Sequence, residues 1–300
     1  MAIEQKKVEQ RTEPERHILG RPVIYQVGTW GIGYLPKRLS YWFARRIADI
    51  SYLFYKKARL NVKNNLRKVF PQLTGSEISS LALSTFRNYS TYLVDYGRFR
   101  LLERDSLAGI ISIKEGKENL DLALERNKGL IIVTAHLGNW ELGAIFFGRQ
   151  GMKINVVTFR DGIDRIDELR ESYRRHHNIN TVILGDSPFA TIELLNALQK
   201  NEIVAMLVDR YNGKEDSIDV DFFGRPLKFP KGPLVLAKMT GAAIVPAFVV
   251  RNDMAYHAIF GKPAIVNDSD MLEKHAQEII GIFEDCIKKY PDQWYNFVEI

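Results

Sequence analysis

With 300 residues, 46% of them hydrophobic and 26% charged, the chain can bury a sizeable core; it is not a disordered polypeptide, though length alone leaves one large α/β domain or two small ones open. Lysine and arginine exceed aspartate and glutamate by 42 to 36, giving a net charge of +6 and a pI near 9.2, which suits an anionic partner such as a phospholipid surface, a phosphorylated substrate, an acidic carrier protein or nucleic acid. The single cysteine, Cys286, excludes an intrachain disulfide and a multi-cysteine zinc site and points to a reducing compartment.

Residues 1–20 are polar and carry Pro14, so a flexible tail is expected. They lack the apolar core of about 7–15 residues that a secretory signal needs. No later stretch reaches the ~20 apolar residues of a spanning helix, and any membrane contact is expected to be peripheral. Residues 21–105 read as a helical N-terminal part. From Pro36 to Leu60, the positions Leu39, Phe43, Ile47, Ile50 and Phe54 recur at spacings of three and four, which predicts a helix with an apolar stripe. Arg38, Arg45, Lys56 and Arg59 fall on the other side, interleaved with Tyr41, Trp42, Tyr52 and Tyr55. Two readings are open: a helix lying in the headgroup region of a bilayer, or an amphipathic helix packed on the sheet with its charges in water.

Thr74 and Glu77 form a capping box that opens a helix over about 75–104. Strands and helices then alternate: strand 109–113, helix 117–127, strand 129–133, helix 139–150, strand 154–159, a helix carrying Ile163, Ile166, Leu169 and Tyr173, strand 181–184, a helix opened by Ser187 and Pro188, and strand 203–208. A strand ending at Phe223, a turn at Gly224, a helix from Gly232, strands 243–250 and 254–260, and a helix over about 269–290 complete the chain. No repeat and no Pro/Gly/Ser-rich linker divides it. The expected fold is α/β: a single domain with a central, largely parallel or mixed β-sheet flanked by helices, its core in residues 106–300, plus a helical amphipathic N-terminal extension.

The stretch GLIIVTAHLGNWE, residues 129–141, is the centre of the functional reading. Its β-branched run reads as a buried strand, and ligands in open α/β sheets bind at the carboxyl ends of strands. His136 is delivered to that edge, with Glu141 five positions on. If the turn at Gly138 lets the carboxylate reach the ring, the pair matches the base and orienter of a hydrolytic triad without a protein nucleophile. Gly138 permits close backbone approach, and the following helix N-terminus could stabilise an oxyanion. G-x-S-x-G, H-E-x-x-H, G-x-G-x-x-G and the P-loop pattern are all missing, so a serine hydrolase, a zincin and the common nucleotide sites gain no support.

HLGNWE resembles the H-x4-D/E motif of the glycerolipid acyltransferase superfamily. Its filled-in form, H-x-G-N-W-E, resembles the bacterial branch of lauroyl/myristoyl lipid A acyltransferases and phosphatidylinositol mannoside acyltransferases. The resemblance extends in order through NLRKVFPQL (65–73), TFR ending at Arg160, DRYNG (209–213), VDFFGRPLKFPKGPLVLAKMTGAAIVPAF (220–248) and YPDQWYNF (290–297).

This resemblance implies acyl transfer from a thioester, acyl-carrier protein or acyl-CoA, to a hydroxyl of a membrane glycolipid. It implies no metal, cofactor or nucleic acid, and the cytoplasmic face of a bacterial inner membrane; the family's enzymes often begin with a transmembrane helix, no such helix is read here, and a peripheral anchor through the aromatic-basic segment from Arg21 to Arg59 is expected in its place. His136 would deprotonate the acceptor, with Glu141 or Asp209, or both, supporting it. Gly138, Asn139 and Trp140 would belong to the substrate site, and Arg160 would bind a phosphate or the donor with its guanidinium fork. Phe222, Phe223 and Gly224 would form another wall, and Arg210, Arg225, Lys228 and Lys231 a cationic rim. FPKG at 229–232 puts Lys231 where the glycerophosphate branch has an acid, which favours the lipid A-like branch. A lysophospholipid acyltransferase, a thioesterase and a non-catalytic lipid-binding protein are the alternatives.

Overall fold

The structure is a computed structural model that describes residues 35–98, 110–159, 171, 174–175, 177–185, 189–211, 213, 216–267 and 271–300. Outside the described residues lie the expected tail, the first residues of the helical part, Arg160, the helix with Ile163, Ile166 and Leu169, and Ser187 with Pro188. Three helices come first: α1 (Lys37–Phe54), α2 (Lys56–Val69) and α3 (Gly75–Arg98). The α/β part follows as β1 (Ile111–Glu115), α4 (Lys117–Leu124), β2 (Leu130–Thr134), α5 (Trp140–Arg149), β3 (Ile154–Thr158), β4 (Ile179–Ile183), α6 (Ala190–Gln199) and β5 (Ile203–Leu207). It continues through β6 (Ser217–Asp221), β7 (Pro226–Pro230), α7 (Gly232–Thr240), β8 (Ala243–Asn252), β9 (Ala255–Phe260) and α8 (Leu272–Lys289), with a 3-10 turn at Pro291–Gln293.

Seven strands form one sheet in the order β1-β9-β8-β2-β5-β3-β4. All neighbours are parallel except β8 and β9. The β2 strand lies in the middle, and each of its five residues is buried. Its side chains alternate between two cores: Ile131 and Val133 join the cluster beneath α6, α7 and α8, while Leu130 and Ile132 join the one beneath α4 and α5. A run apolar on both faces is what a central parallel strand requires.

The α3 helix opens on the expected capping box. The Thr74 backbone N–H donates to Glu77 Oε2 at 2.7 Å, and the Glu77 N–H donates to Thr74 Oγ1 at 3.3 Å. The segment between β6 and α7 departs from the sequence expectation of one strand and a turn, because Pro226–Pro230 forms a second strand in an antiparallel hairpin with β6. Phe223 and Gly224 turn the hairpin with positive φ. Phe229 is fully buried in alternation with exposed Lys228, the pattern of a half-buried strand.

The N-terminal helices settle which way the apolar stripe points. The face of α1 that is buried carries Ser40, Tyr41, Ala48 and Ser51, and α1 packs on α3. Leu39, Phe43, Ile47, Ile50 and Phe54 point outward, Ile50 being 57% and Phe54 78% exposed. Packing of that stripe on the sheet is thereby overturned: small residues permit close helix approach, and the large ones are left outside. The helix also stops at Phe54 instead of running to residue 60, its last carbonyls being capped as Arg59 donates to those of Tyr52 (2.7 Å) and Leu53 (3.1 Å). Among the described residues no helix is long and apolar enough to cross a membrane.

Candidate active site

The carboxyl ends of β2 and β5 deliver His136 and Asp209. The two strands are in register from Leu130–Ile203 to Thr134–Leu207, and a further bond from the Val208 N–H to the Thr134 carbonyl at 3.0 Å extends the pairing. The residues just past each strand therefore meet. His136 Nδ1 lies 2.7 Å from Asp209 Oδ1, and the His136 backbone N–H donates to Oδ2 at 3.0 Å. The Trp294 indole N–H donates to the same Oδ2 at 3.3 Å.

The Asp209 side chain is only 1% exposed, whereas that of His136 is 20% exposed. Complete burial by itself would raise the Asp209 carboxyl. The charge of the His136 ring and its hydrogen bonds, helped by Arg210, outweigh that penalty and hold the group down at about 2, below its ordinary 3.8. A carboxylate at Nδ1 selects the tautomer with the proton on Nδ1, which makes Nε2 the basic nitrogen.

Glu141 has a different principal partner from the one expected. Arg174 donates to it through Nη2 at 2.5 Å and Nε at 3.2 Å. This fork-to-carboxylate pair is buried, with side-chain exposures of 9% and 7%. Of the two candidate carboxylates, Asp209 is the one that meets His136 Nδ1, while α5 begins at Trp140 and carries Glu141 to Arg174.

The turn itself is clamped on both sides. Gly138 has φ +65°, and a Cβ there would collide with the Val249 carbonyl. Its N–H donates to the Gln293 carbonyl at 2.9 Å, and the Asn139 N–H donates to that of Val249 at 2.6 Å. The Asn139 side chain caps α5 by accepting from the Leu142 N–H at 3.1 Å. The expected oxyanion donors at this helix start are thus partly committed: the amides of Gly138, Asn139 and Leu142 already serve protein carbonyls. Trp140 meets the His136 ring edge-on at 5.2 Å and stacks on Tyr92 of α3 at 4.9 Å.

Phe222 and Phe223 join the site through Trp294, with ring centroids 6.0 and 6.5 Å from it. The proposed cationic rim is divided. Arg210 donates to Asn296 Oδ1 at 3.1 Å and to the Tyr295 carbonyl at 2.8 Å, fastening the C-terminal segment beside the dyad. Lys228 pairs with Asp219 across the hairpin at 2.9 Å, Arg225 and Gly224 are exposed at its tip, and Lys231 is half-buried at the start of α7. Two participants were not singled out from sequence, Trp294 and Arg174. Trp294 stands in the YPDQWYNF string, where an indole donor in a buried segment was the available signal; Arg174 gave none.

An apolar cavity lies between the sheet and α5, lined by Ile132, Trp140, Phe147, Ala205, Phe248 and Phe260 among others. Glu141 and Arg174 also line it. Trp140 thus both lines this apolar space and meets the His136 ring. Among the described residues no group of three or more His, Cys, Asp or Glu could hold a metal ion.

Residues 10–299 match the family described as bacterial lipid A biosynthesis acyltransferase. The chain belongs to this family. It is 27% identical over 277 residues to the lipid A biosynthesis lauroyltransferase of Escherichia coli, covering 91% of this chain and 83% of that protein. The palmitoleoyltransferase of the same organism is 25% identical, with 87% and 84% covered. The phosphatidylinositol mannoside acyltransferase of Mycobacterium tuberculosis is 25% identical over 187 residues, 62% of this chain. The match spans about three fifths, 59%, of the mycobacterial protein's length. Both lipid A and mannoside acyltransferases are thus relatives of this family member.

Proposed function

We propose that this family member transfers a fatty acyl group from a thioester, acyl-carrier protein or acyl-CoA, to a hydroxyl of a glycolipid such as a lipid A precursor or a phosphatidylinositol mannoside. The observation that carries this reading is the 2.7 Å contact between His136 Nδ1 and the buried Asp209 carboxylate. With Nδ1 occupied, His136 Nε2 takes the proton of the acceptor hydroxyl as its oxygen attacks the thioester carbonyl. Asp209 stabilises the imidazolium that forms. Collapse of the tetrahedral intermediate breaks the C–S bond, and the proton returns from Nε2 to the leaving thiolate. The products are an ester and a free thiol, and the sequence of steps needs neither metal nor cofactor.

The apolar cavity behind Trp140 suits the acyl chain, since burying each methylene contributes about 0.8 kcal/mol. The outward stripe of α1 suits a bilayer, with Trp42 and the flanking arginines at headgroup level. On this reading the protein is peripheral, on the cytoplasmic face of a bacterial inner membrane where both thioester donors are found.

Incubating the protein with radiolabelled lauroyl-carrier protein or lauroyl-CoA and each glycolipid acceptor, then resolving products by mass spectrometry, tests the reading. Ester formation on the glycolipid, lost in His136→Ala, is the expected result. Release of free fatty acid alone would assign a thioesterase, and no turnover of any pair would favour a lipid-binding role.

A further inference from the structure

The apolar cavity under α5 begins directly beneath the dyad. Thr134 and Leu207 are paired in register, stand two residues before His136 and Asp209, and both line it. One row further from the dyad edge, Ile132, Ala205 and Val156 lie side by side and line it as well. Ile154, two residues before Val156, is its innermost residue on β2, β5 and β3. Beside it Ile203 and Leu130 close that row with buried side chains.

The α5 helix supplies the roof. Trp140, Gly143, Ala144 and Phe147 stand at i, i+3, i+4 and i+7, so they share one helical face, and all four line the cavity. That face is two aromatic rings bracketing two residues with little or no side chain. Ala205, Ala247 and Ala258 line the sheet side. The space exists because small residues face small residues across the layer. At one end Trp140 meets the His136 ring. At the other, Phe147 is buried with its ring 6.0 Å from that of Phe260, which also lines the cavity.

The helix from Trp140 to Phe147 covers about 10 Å, and the strand from Thr158 to Ile154 about 13 Å. An extended chain has three bonds in each ~3.5 Å residue and so advances about 1.2 Å per bond. The cavity therefore has room for about eight to eleven bonds beyond a carbonyl carbon held at His136. We propose that Phe147, backed by Phe260, is the end wall that sets the length of the acyl chain this protein transfers. Chains of about 10–12 carbons fill the space between Trp140 and that wall, and the terminal carbons of longer ones meet close-packed side chains. The proposal rests on the reading that places the acyl chain in this cavity.

Competition between decanoyl, lauroyl and palmitoyl thioesters for one glycolipid acceptor reads the wall. In wild type, palmitoyl transfer is expected to be at least about tenfold slower than lauroyl, since one methylene of burial is worth about fourfold. F147L trims the wall and should raise the palmitoyl-to-lauroyl ratio at least about fourfold. F260L, which loosens the wall from the sheet side, should shift the ratio the same way and decides the matter if F147L does not fold. A144L fills the middle of the roof and should lower the lauroyl-to-decanoyl ratio at least about fourfold. Unchanged profiles in the folded wall variants, shifts of the same sign in F147L and A144L, or equal palmitoyl and lauroyl rates in wild type would each overturn the wall. Titration calorimetry with laurate and palmitate makes the comparison without turnover. If wild type transfers no acyl group while the wall variants still gain affinity for palmitate over laurate, the transfer reading fails and the wall stands. If transfer occurs with one profile in every variant, the reading stands and the wall fails.

Discussion

His136 Nδ1 is held 2.7 Å from Asp209 Oδ1 across 73 positions of sequence, while Glu141, five residues from the histidine, is forked by Arg174. Two carboxylates with different partners should fail differently when neutralised. Asp209→Asn leaves a side chain of the same shape but presents the wrong tautomer to Nε2, and a loss of about 10²–10⁴-fold in kcat with little change in KM is expected from steady-state rates. Glu141→Gln breaks a buried ion pair and should cost about 3–5 kcal/mol, read as a drop in the denaturation midpoint. Equal effects of both variants on kcat at unchanged stability would contradict this division.

Acid should reveal the Asp209 pair. The folded carboxyl sits at about 2 and the unfolded one at its ordinary 3.8, so the unfolded chain binds its proton first as pH falls. The stability contribution is full above the unfolded value and is lost as pH falls through the folded one. The difference in unfolding free energy between wild type and Asp209→Asn should therefore shrink between about pH 5 and pH 2. A difference that stays constant over that range would show that the pair is not the source.

Gly138→Ala should displace the His136 turn. The position needs φ +65° and has the Val249 carbonyl where a Cβ would stand. A destabilisation of about 1–3 kcal/mol is expected, with kcat falling further than stability alone explains. Chemical denaturation and kinetics on the same preparation measure both.

Trp294→Phe keeps the ring against Phe222 and Phe223 but removes the indole donor to Asp209 Oδ2. About a tenfold fall in kcat and about 1 kcal/mol in stability are expected, with KM nearly unchanged. A change in KM alone would place Trp294 in substrate binding instead.

The outward stripe of α1 can be altered without touching the core. Phe43→Ser with Phe54→Ser should leave thermal stability unchanged, since both rings are exposed, and should reduce cosedimentation with vesicles several-fold. Ala48→Leu, on the fully buried face of the same helix, should instead destabilise by about 1–3 kcal/mol.

Much of this arrangement was legible from local patterns. The LIIV run betrayed a central strand because both of its faces are covered, and Thr74 with Glu77 marked a helix start because a capping box is a contact three residues long. A largely parallel or mixed sheet was expected from the alternation of strands and helices, and the structure has one, of seven strands. The β7 strand was missed because its prolines and lysine read as a turn, although Phe229 is buried. The choice between Glu141 and Asp209 was not legible, since it depends on β2 and β5 being neighbours in register. Nor was the direction of the α1 stripe, because periodicity specifies a face but not what covers it.

The single-turnover rate of acyl transfer from a lauroyl thioester to a glycolipid hydroxyl, compared between wild type and folded His136→Ala, is the most direct test. A fall of at least about 10²-fold, with thermal stability near wild type, is expected if His136 is the general base. An unchanged rate in the folded variant would contradict the assignment of His136 and Asp209 as the catalytic dyad.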